Sequence, residues 1–184
     1  MIKFAVSDAV TGKEVKAIRR KLELTQAEFA GLANVSLKTV ERWETGEKEI
    51  TGPIVTLMKI LNEYPQIGER LVIPEQSYPL RLWYMSGDKV CTIIDVDERG
   101  RRIKIYNYTN DYICRAFGRI EQPTFEEYEA FLESRCFPRS RDKMKLVLEE
   151  LGLPFYDPFL IVEKTEGRMA EDDFWIRIER RQND

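Results

Sequence analysis

Apolar positions in the first third of the chain recur at helical spacing. Val15, Ile18 and Leu22 lie three and four apart behind Thr11-Gly12, which predicts a first helix over residues 12–22. Thr25 followed by Glu28 has the S/T-x-x-E form of a capping box and opens a second helix over residues 26–33. Asn34, a residue that tolerates the left-handed backbone, marks a turn. Ser36 caps a third helix that runs to Thr45, where Gly46 ends it. Pro53 stands in the first turn of a fourth helix, residues 52–63, whose Ile54, Leu57, Met58 and Leu61 make one stripe before Pro65 stops it. Residues 66–79 read as a packed connector, because Leu71, Val72 and Ile73 are apolar among Gly68, Pro74 and Pro79.

Beyond the connector the period changes from helical to alternating. Residues 80–85, 89–96, 101–109 and 112–117 read as strands, separated by Ser86-Gly87-Asp88, residues 97–100 and Asn110-Asp111. Strict alternation in Arg102-Ile103-Lys104-Ile105-Tyr106 predicts a sheet with one solvated face. Helical spacing returns over residues 125–135 and 140–151, split by Phe137-Pro138 and closed by Gly152. A shorter helix follows over 157–164, and Phe174-Trp175-Ile176-Arg177-Ile178 reads as a last strand. The class is α+β: an N-terminal all-α helix-turn-helix domain, residues 1–74, then a small antiparallel sheet with C-terminal helices, residues 75–184.

Composition then narrows the chemistry. With 184 residues, 43% of them hydrophobic and 33% charged, the chain suits one or two soluble domains. No apolar run approaches the roughly 20 residues of a membrane-spanning helix. Asp8 interrupts the start of the chain before it can resemble a signal peptide, so a cytoplasmic protein without membrane association is expected. Cys91, Cys114 and Cys136 are too far apart for zinc-site spacing and read as reduced, buried residues; no metal is expected. The chain has no histidine, which removes imidazole acid–base chemistry and every histidine-containing triad. A Gly-rich phosphate loop is also missing, so neither a cofactor nor catalytic residues are expected. The net charge is −3, but residues 1–74 hold 11 Lys/Arg against 10 Asp/Glu, and Lys13, Lys16, Arg19, Arg20 and Lys21 crowd the first helix. A neutral domain with a basic face permits contact with phosphates.

Residues 24–46, from Leu24-Thr25-Gln26-Ala27-Glu28 through Asn34 and Ser36 to Arg42-Trp43-Glu44-Thr45-Gly46, resemble the helix-turn-helix of the phage-repressor-like (XRE/Cro) family. Ala30 is small where two helices cross, and Val35, Val40 and Trp43 fill the space between them. The opposite face of the third helix is then free to enter a major groove. Ser36, Leu37, Lys38, Thr39, Glu41 and Arg42 start or line that face. Lys38 and Arg42 suit guanine O6 and N7, and Leu37 suits a thymine methyl. Glu41, a carboxylate at the reading face, is expected to pair with Lys38 or Arg42. The resemblance implies that Gln26 holds a backbone phosphate and that Thr45, Gly46 and Lys48 do the same after the helix. Thr11–Arg20, Arg42–Gly46 and Leu61–Pro65 also look like the DNA-binding domain of MqsA- and HigA-type antitoxins. That implies a homodimer on double-stranded operator DNA and a toxin encoded nearby as partner.

Farther on, residues 131–141 (with Arg135, Phe137-Pro138-Arg139 and Arg141) and Gly167-x-x-x-x-Asp172-x-x-Trp175 are similar to the N-terminal, non-kinase part of HipA-like proteins. No ATP-binding loop or catalytic aspartate carries over, so a regulatory or scaffold part is implied. Arg135, Arg139, Arg141 and Trp175 are then partner-binding residues. The other reading makes them an internal salt-bridge cluster with Glu171, Asp172 and Asp173 around a core tryptophan. For the whole chain, a dimeric autorepressor of antitoxin type stands first. A phage- or plasmid-borne protein-binding inhibitor, with the helix-turn-helix as scaffold, is the alternative.

Overall fold

A computed structural model of the protein describes residues 4–181. Its contacts divide the chain into two compact units that meet between Ile73 and Pro74.

The first unit is built on capped helices. Thr11 and Glu14 form a reciprocal capping box at the start of α1 (Gly12–Lys21), and Thr25 and Glu28 do the same for α2 (Gln26–Leu32). The Ser36 hydroxyl caps α3 (Leu37–Thr45) by accepting from the Thr39 amide. Pro53 opens α4 (Pro53–Glu63), where its missing N–H costs nothing. Val15, Phe29, Val40, Met58 and Leu61 close the core between the helices. Two features escape the periodicity. A two-residue strand β1 (Ala9–Val10) pairs with β2 (Ile50–Thr51), and the connector contains a fifth helix, α5 (Gln66–Leu71). The connector is not packed as expected, because Leu71, Val72 and Ile73 are all exposed.

The second unit is a four-stranded antiparallel sheet of β3 (Leu80–Ser86), β4 (Lys89–Asp97), β5 (Arg102–Asn107) and β6 (Phe174–Arg180), in the order β5-β4-β3-β6. The chain's last strand returns to pair with the first of the sheet, Trp83 opposite Arg177 and Leu82 opposite Ile178. One face carries Leu82, Tyr84, Ile94, Val96 and Ile176 against α6 (Phe125–Ser134) and α8 (Pro158–Thr165), which bring Phe131, Leu132, Ile161 and Val162. A stacked Tyr84–Phe174 pair and an edge-on Tyr84–Phe131 pair tighten this core.

The other face departs from the alternation rule. Its solvated part is confined to the two outer strands, where Arg102 and Lys104 of β5 and Arg177 and Glu179 of β6 are exposed. On the inner strands Trp83, Met85 and Ile93 form a second buried cluster with Trp175 and Tyr106. Beside it lies a buried ion pair: Arg81 Nε and Nη2 donate to Asp95 Oδ1 and Oδ2 at 2.6 and 2.9 Å. Ser77 N completes Asp95, and Pro74 O completes Arg81. Burying a charge pair is tolerable when further hydrogen bonds support it, as Ser77 N and Pro74 O do here.

Two further expectations are corrected. Residues 112–117 are not a strand: Asp111 caps a 3-10 turn at Tyr112–Cys114, and Ala116 N donates to Thr92 Oγ1 instead of to a ladder. The helix expected from residue 140 starts only at Met144 as α7 (Met144–Glu150), because Lys143 is left-handed at φ 56°.

Candidate nucleic-acid interface

The C-terminal end of α3 is fixed against α1 at two points. A Cβ built on Gly12, the first residue of α1, would lie 1.9 Å from the Trp43 carbonyl oxygen, so only glycine lets the two backbones approach this closely. Arg19 of α1 then grips Glu44 of α3 in a two-pronged contact, Nε to Oε1 at 2.6 Å and Nη2 to Oε2 at 2.9 Å. The third donor of the fork reaches Leu24 O, ahead of α2. Gln26 Nε2 of α2 donates to the same Glu44 carboxylate at 3.0 Å. One acidic side chain, only 2% exposed, thus ties three helices together. The Arg19 guanidinium, with help from Gln26, holds the Glu44 carboxyl below the usual carboxylate range despite burial. Sequence reasoning missed this brace: Arg19 was counted with the surface cations, and nothing local links residues 25 positions apart.

The turn between α2 and α3 follows the expected chemistry. Asn34 sits at φ 52°, and the Val35 amide closes the loop on Ala30 O. Val40 is buried and Trp43 packs on the same core. This orientation leaves Leu37 (43% exposed), Lys38, Glu41 and Arg42 facing out. Lys38 and Arg42 are one helical turn apart, and neither is in an ion pair among the described residues. Glu41 makes no ion pair with either of them, so the expected pairing is not formed.

The surrounding polar groups differ in how free they are. The Ser36 and Thr39 hydroxyls hydrogen-bond to each other at 2.9 Å, leaving one of the two protons to donate outward. Gln26 keeps the second N–H of its amide. Thr45 Oγ1 donates back to Glu41 O, and the Gly46 amide donates to Arg42 O, so Gly46 closes the helix and has no N–H left for a phosphate. Lys48 is exposed. Of the basic residues on α1, Lys21 is anchored on Asn62 of α4.

The residues expected to bind a partner lie in the second unit. Arg135 is only 7% exposed and every branch of its guanidinium is engaged, by Gly167 O, Phe174 O and both oxygens of Asp172. This is the geometry of an internal strut, the second of the two readings given for this residue. Trp175 is half-buried, with Nε1 donating to Gly87 O and Arg168 over its ring at 4.9 Å. Arg139 is exposed, pairs with Glu133 at 2.7 Å and lies over Tyr156. Arg141 is exposed beside the Phe137 ring. The anticipated cluster with residues 171–173 therefore reduces to Arg135–Asp172.

A short capped helix, a left-handed turn and a second helix braced on one side with unpaired cations on the other define a helix-turn-helix module. Residues 2–71, which comprise it, match the family model for the antitoxin component of the bacterial toxin-antitoxin system, MqsA. Antitoxin HigA-2 of Vibrio cholerae serotype O1 is 32% identical over 57 residues, which are 31% of this chain and 55% of that protein. The N-terminal unit is thus an MqsA/HigA antitoxin-like helix-turn-helix segment. Among the described residues no helix is long and apolar enough to cross a membrane.

Proposed function

We propose that this protein is a sequence-specific DNA-binding regulator of antitoxin type, which represses its own operon as a homodimer and is not an enzyme. The observation that carries the reading is the pair Lys38 and Arg42, exposed and in no ion pair among the described residues, on a helix whose other side is locked by Glu44 and Trp43. In this reading Lys38 and Arg42 read bases in a major groove and Leu37 touches a thymine methyl. Ser36 or Thr39, Gln26 and Lys48 hold phosphates, with Thr45 at the edge of the contact. Truncating Arg42 to alanine is expected to cost about 1–3 kcal/mol of operator affinity and to relax preference at one base pair. Lys48→Ala should weaken all sequences equally and flatten the salt slope by about one unit. Filter binding or fluorescence anisotropy across a salt series on the promoter of its own operon measures both. Unchanged operator affinity in the Arg42 variant would refute the reading of α3.

One recognition helix spans few base pairs, so useful specificity needs two half-sites about one helical turn apart. The exposed apolar side chains of the N-terminal unit concentrate on α4 and α5, at Ile60, Tyr64, Ile67 and Leu71, and a second copy is the occupant proposed for them. Light scattering at micromolar concentration should give a dimer mass, and Ile67→Lys should halve it and weaken operator binding. A monomer that stays monomeric on a palindromic operator would exclude this. The second unit, in the same reading, holds a protein partner such as a toxin encoded nearby, with Arg139 and Arg141 as its accessible arginines.

A further inference from the structure

Five cations stand on α1, and folding sorts them into two groups. Arg19 is held by Glu44, and Lys21 by Asn62 of α4. Lys13 and Arg20 are exposed and Lys16 is partly so, and none of the three makes an ion pair or a side-chain hydrogen bond among the described residues. Their spacing, three and four residues apart, lines them up as one ridge. Its place around the helix follows from its neighbours. Gly12 and Arg19 are the points at which α1 meets the end of α3, and Lys16 stands between them, four residues from one and three from the other. Lys16 therefore shares the side turned towards α3. Lys13 and Arg20 lie one step farther round, away from the core stripe of Val15, Ile18 and Leu22. Glu14, the only carboxylate of the helix, is on the other flank and is turned back onto Thr11 by the capping box.

The ridge is continuous with the interface on α2 and α3. Lys16 acts electrostatically on the Glu44 carboxylate without pairing with it, and the same carboxylate receives one N–H of Gln26. Lys16 and Gln26 are thus neighbours across Glu44, and an anion that takes the remaining Gln26 N–H lies within the field of Lys16. Glu44 does not neutralise the ridge, because Arg19 already engages both of its oxygens. Like charges three and four apart on a helix repel each other, so the arrangement opposes folding and is relieved by a ligand with regularly spaced negative charge. From Lys13 to Arg20 the helix rises about 10 Å, a span that follows about two or three phosphates of one DNA strand.

We infer that the ridge formed by Lys13, Lys16 and Arg20 is a further phosphate-binding element, through which α1 grips the DNA backbone beside the groove that α3 enters. This rests on the DNA-binding reading, but the ridge touches phosphates alone and reads no bases, so it acts on DNA of any sequence. The full chain is titrated by fluorescence anisotropy, across a salt series, with a duplex from the promoter of its own operon and with a random-sequence duplex of equal length. Lys13→Ala, Lys16→Ala and Arg20→Ala should each flatten the plot of log affinity against log salt by about 0.9, and the triple variant by about 2–3. The loss should be equal on the two duplexes, leaving the preference for the operator as it was. Alanine is the best helix former, so the variants should melt like the wild type. Lys16→Arg should keep the wild-type slope. Lys21→Ala removes the same charge from another flank of α1 and should leave the slope unchanged. A wild-type slope in the triple variant, an equal loss in Lys21→Ala, or an altered preference between the duplexes would overturn the assignment. Should the α1 slopes change as expected while Arg42→Ala binds the operator like the wild type, the ridge stands and the reading of α3 falls. Absence of salt-dependent binding to either duplex would refute both.

Discussion

Asp95→Ala is expected to destabilise the second unit by about 3–5 kcal/mol, the largest single effect in the molecule. The substitution leaves the Arg81 guanidinium, whose side chain is 5% exposed, without its carboxylate and strands the Ser77 amide as well. A charge that cannot reach water or a counter-ion is far more costly than the pair was beneficial. The double variant Arg81→Met/Asp95→Leu removes both charges at once and should recover most of the loss. Denaturant unfolding followed by the fluorescence of Trp83 and Trp175, which sit in the adjoining cluster, measures both. A single variant that loses less than about 1 kcal/mol would mean that the pair is solvated in the folded protein.

The second large effect is expected at Glu44. Glu44→Ala should cost about 3 kcal/mol and reduce operator binding through the first unit, since Arg19, Gln26 and the end of α3 lose their common anchor. Glu44→Gln preserves shape and separates charge from packing. Because the folded carboxyl titrates below its unfolded value of about 4.3, its contribution is present above that pH and disappears as pH falls through the lowered folded value. Between pH 6 and pH 3 the wild type should therefore lose more stability than Glu44→Gln, with Trp43 fluorescence reporting on the first unit. Identical pH dependence in the two proteins would show that Glu44 does not titrate with a shifted value. Replacing Asp95 should leave operator affinity intact, whereas replacing Glu44 should not, which distinguishes the two units.

The legible parts of the sequence were those governed by neighbours in the chain. Thr11, Thr25 and Ser36 announce three helix starts because a cap is a contact with the residue three positions on. Asn34 announces the turn because few other side chains accept its backbone conformation. The outward face of α3, with Leu37, Lys38 and Arg42, follows from helical period once Val40 and Trp43 are recognised as core. Strands β3 to β6 were visible in alternation and in β-branched and aromatic content. The reading failed where side chains, one local and one distant in sequence, take the backbone amides from a ladder. Cys114 and Ala116 look like strand, yet Asp111 and Thr92 take the backbone amides nearby.

Contacts between residues far apart in the chain left no such trace. Arg19 reads as one more surface cation until folding brings Glu44 beside it, and the sequence leaves Arg135 open between an anchor and a strut until Asp172 and two carbonyls enclose it. The return of β6 to β3 and the burial of both faces of the inner strands are likewise products of tertiary packing. The physical division is one of range. The capping, turn and periodicity of the helix-turn-helix are determined by interactions within about one helical turn, and the sequence alone specifies them. Which charges are buried, paired or free depends on which surfaces exclude water when distant segments meet, and only the tertiary structure decides that.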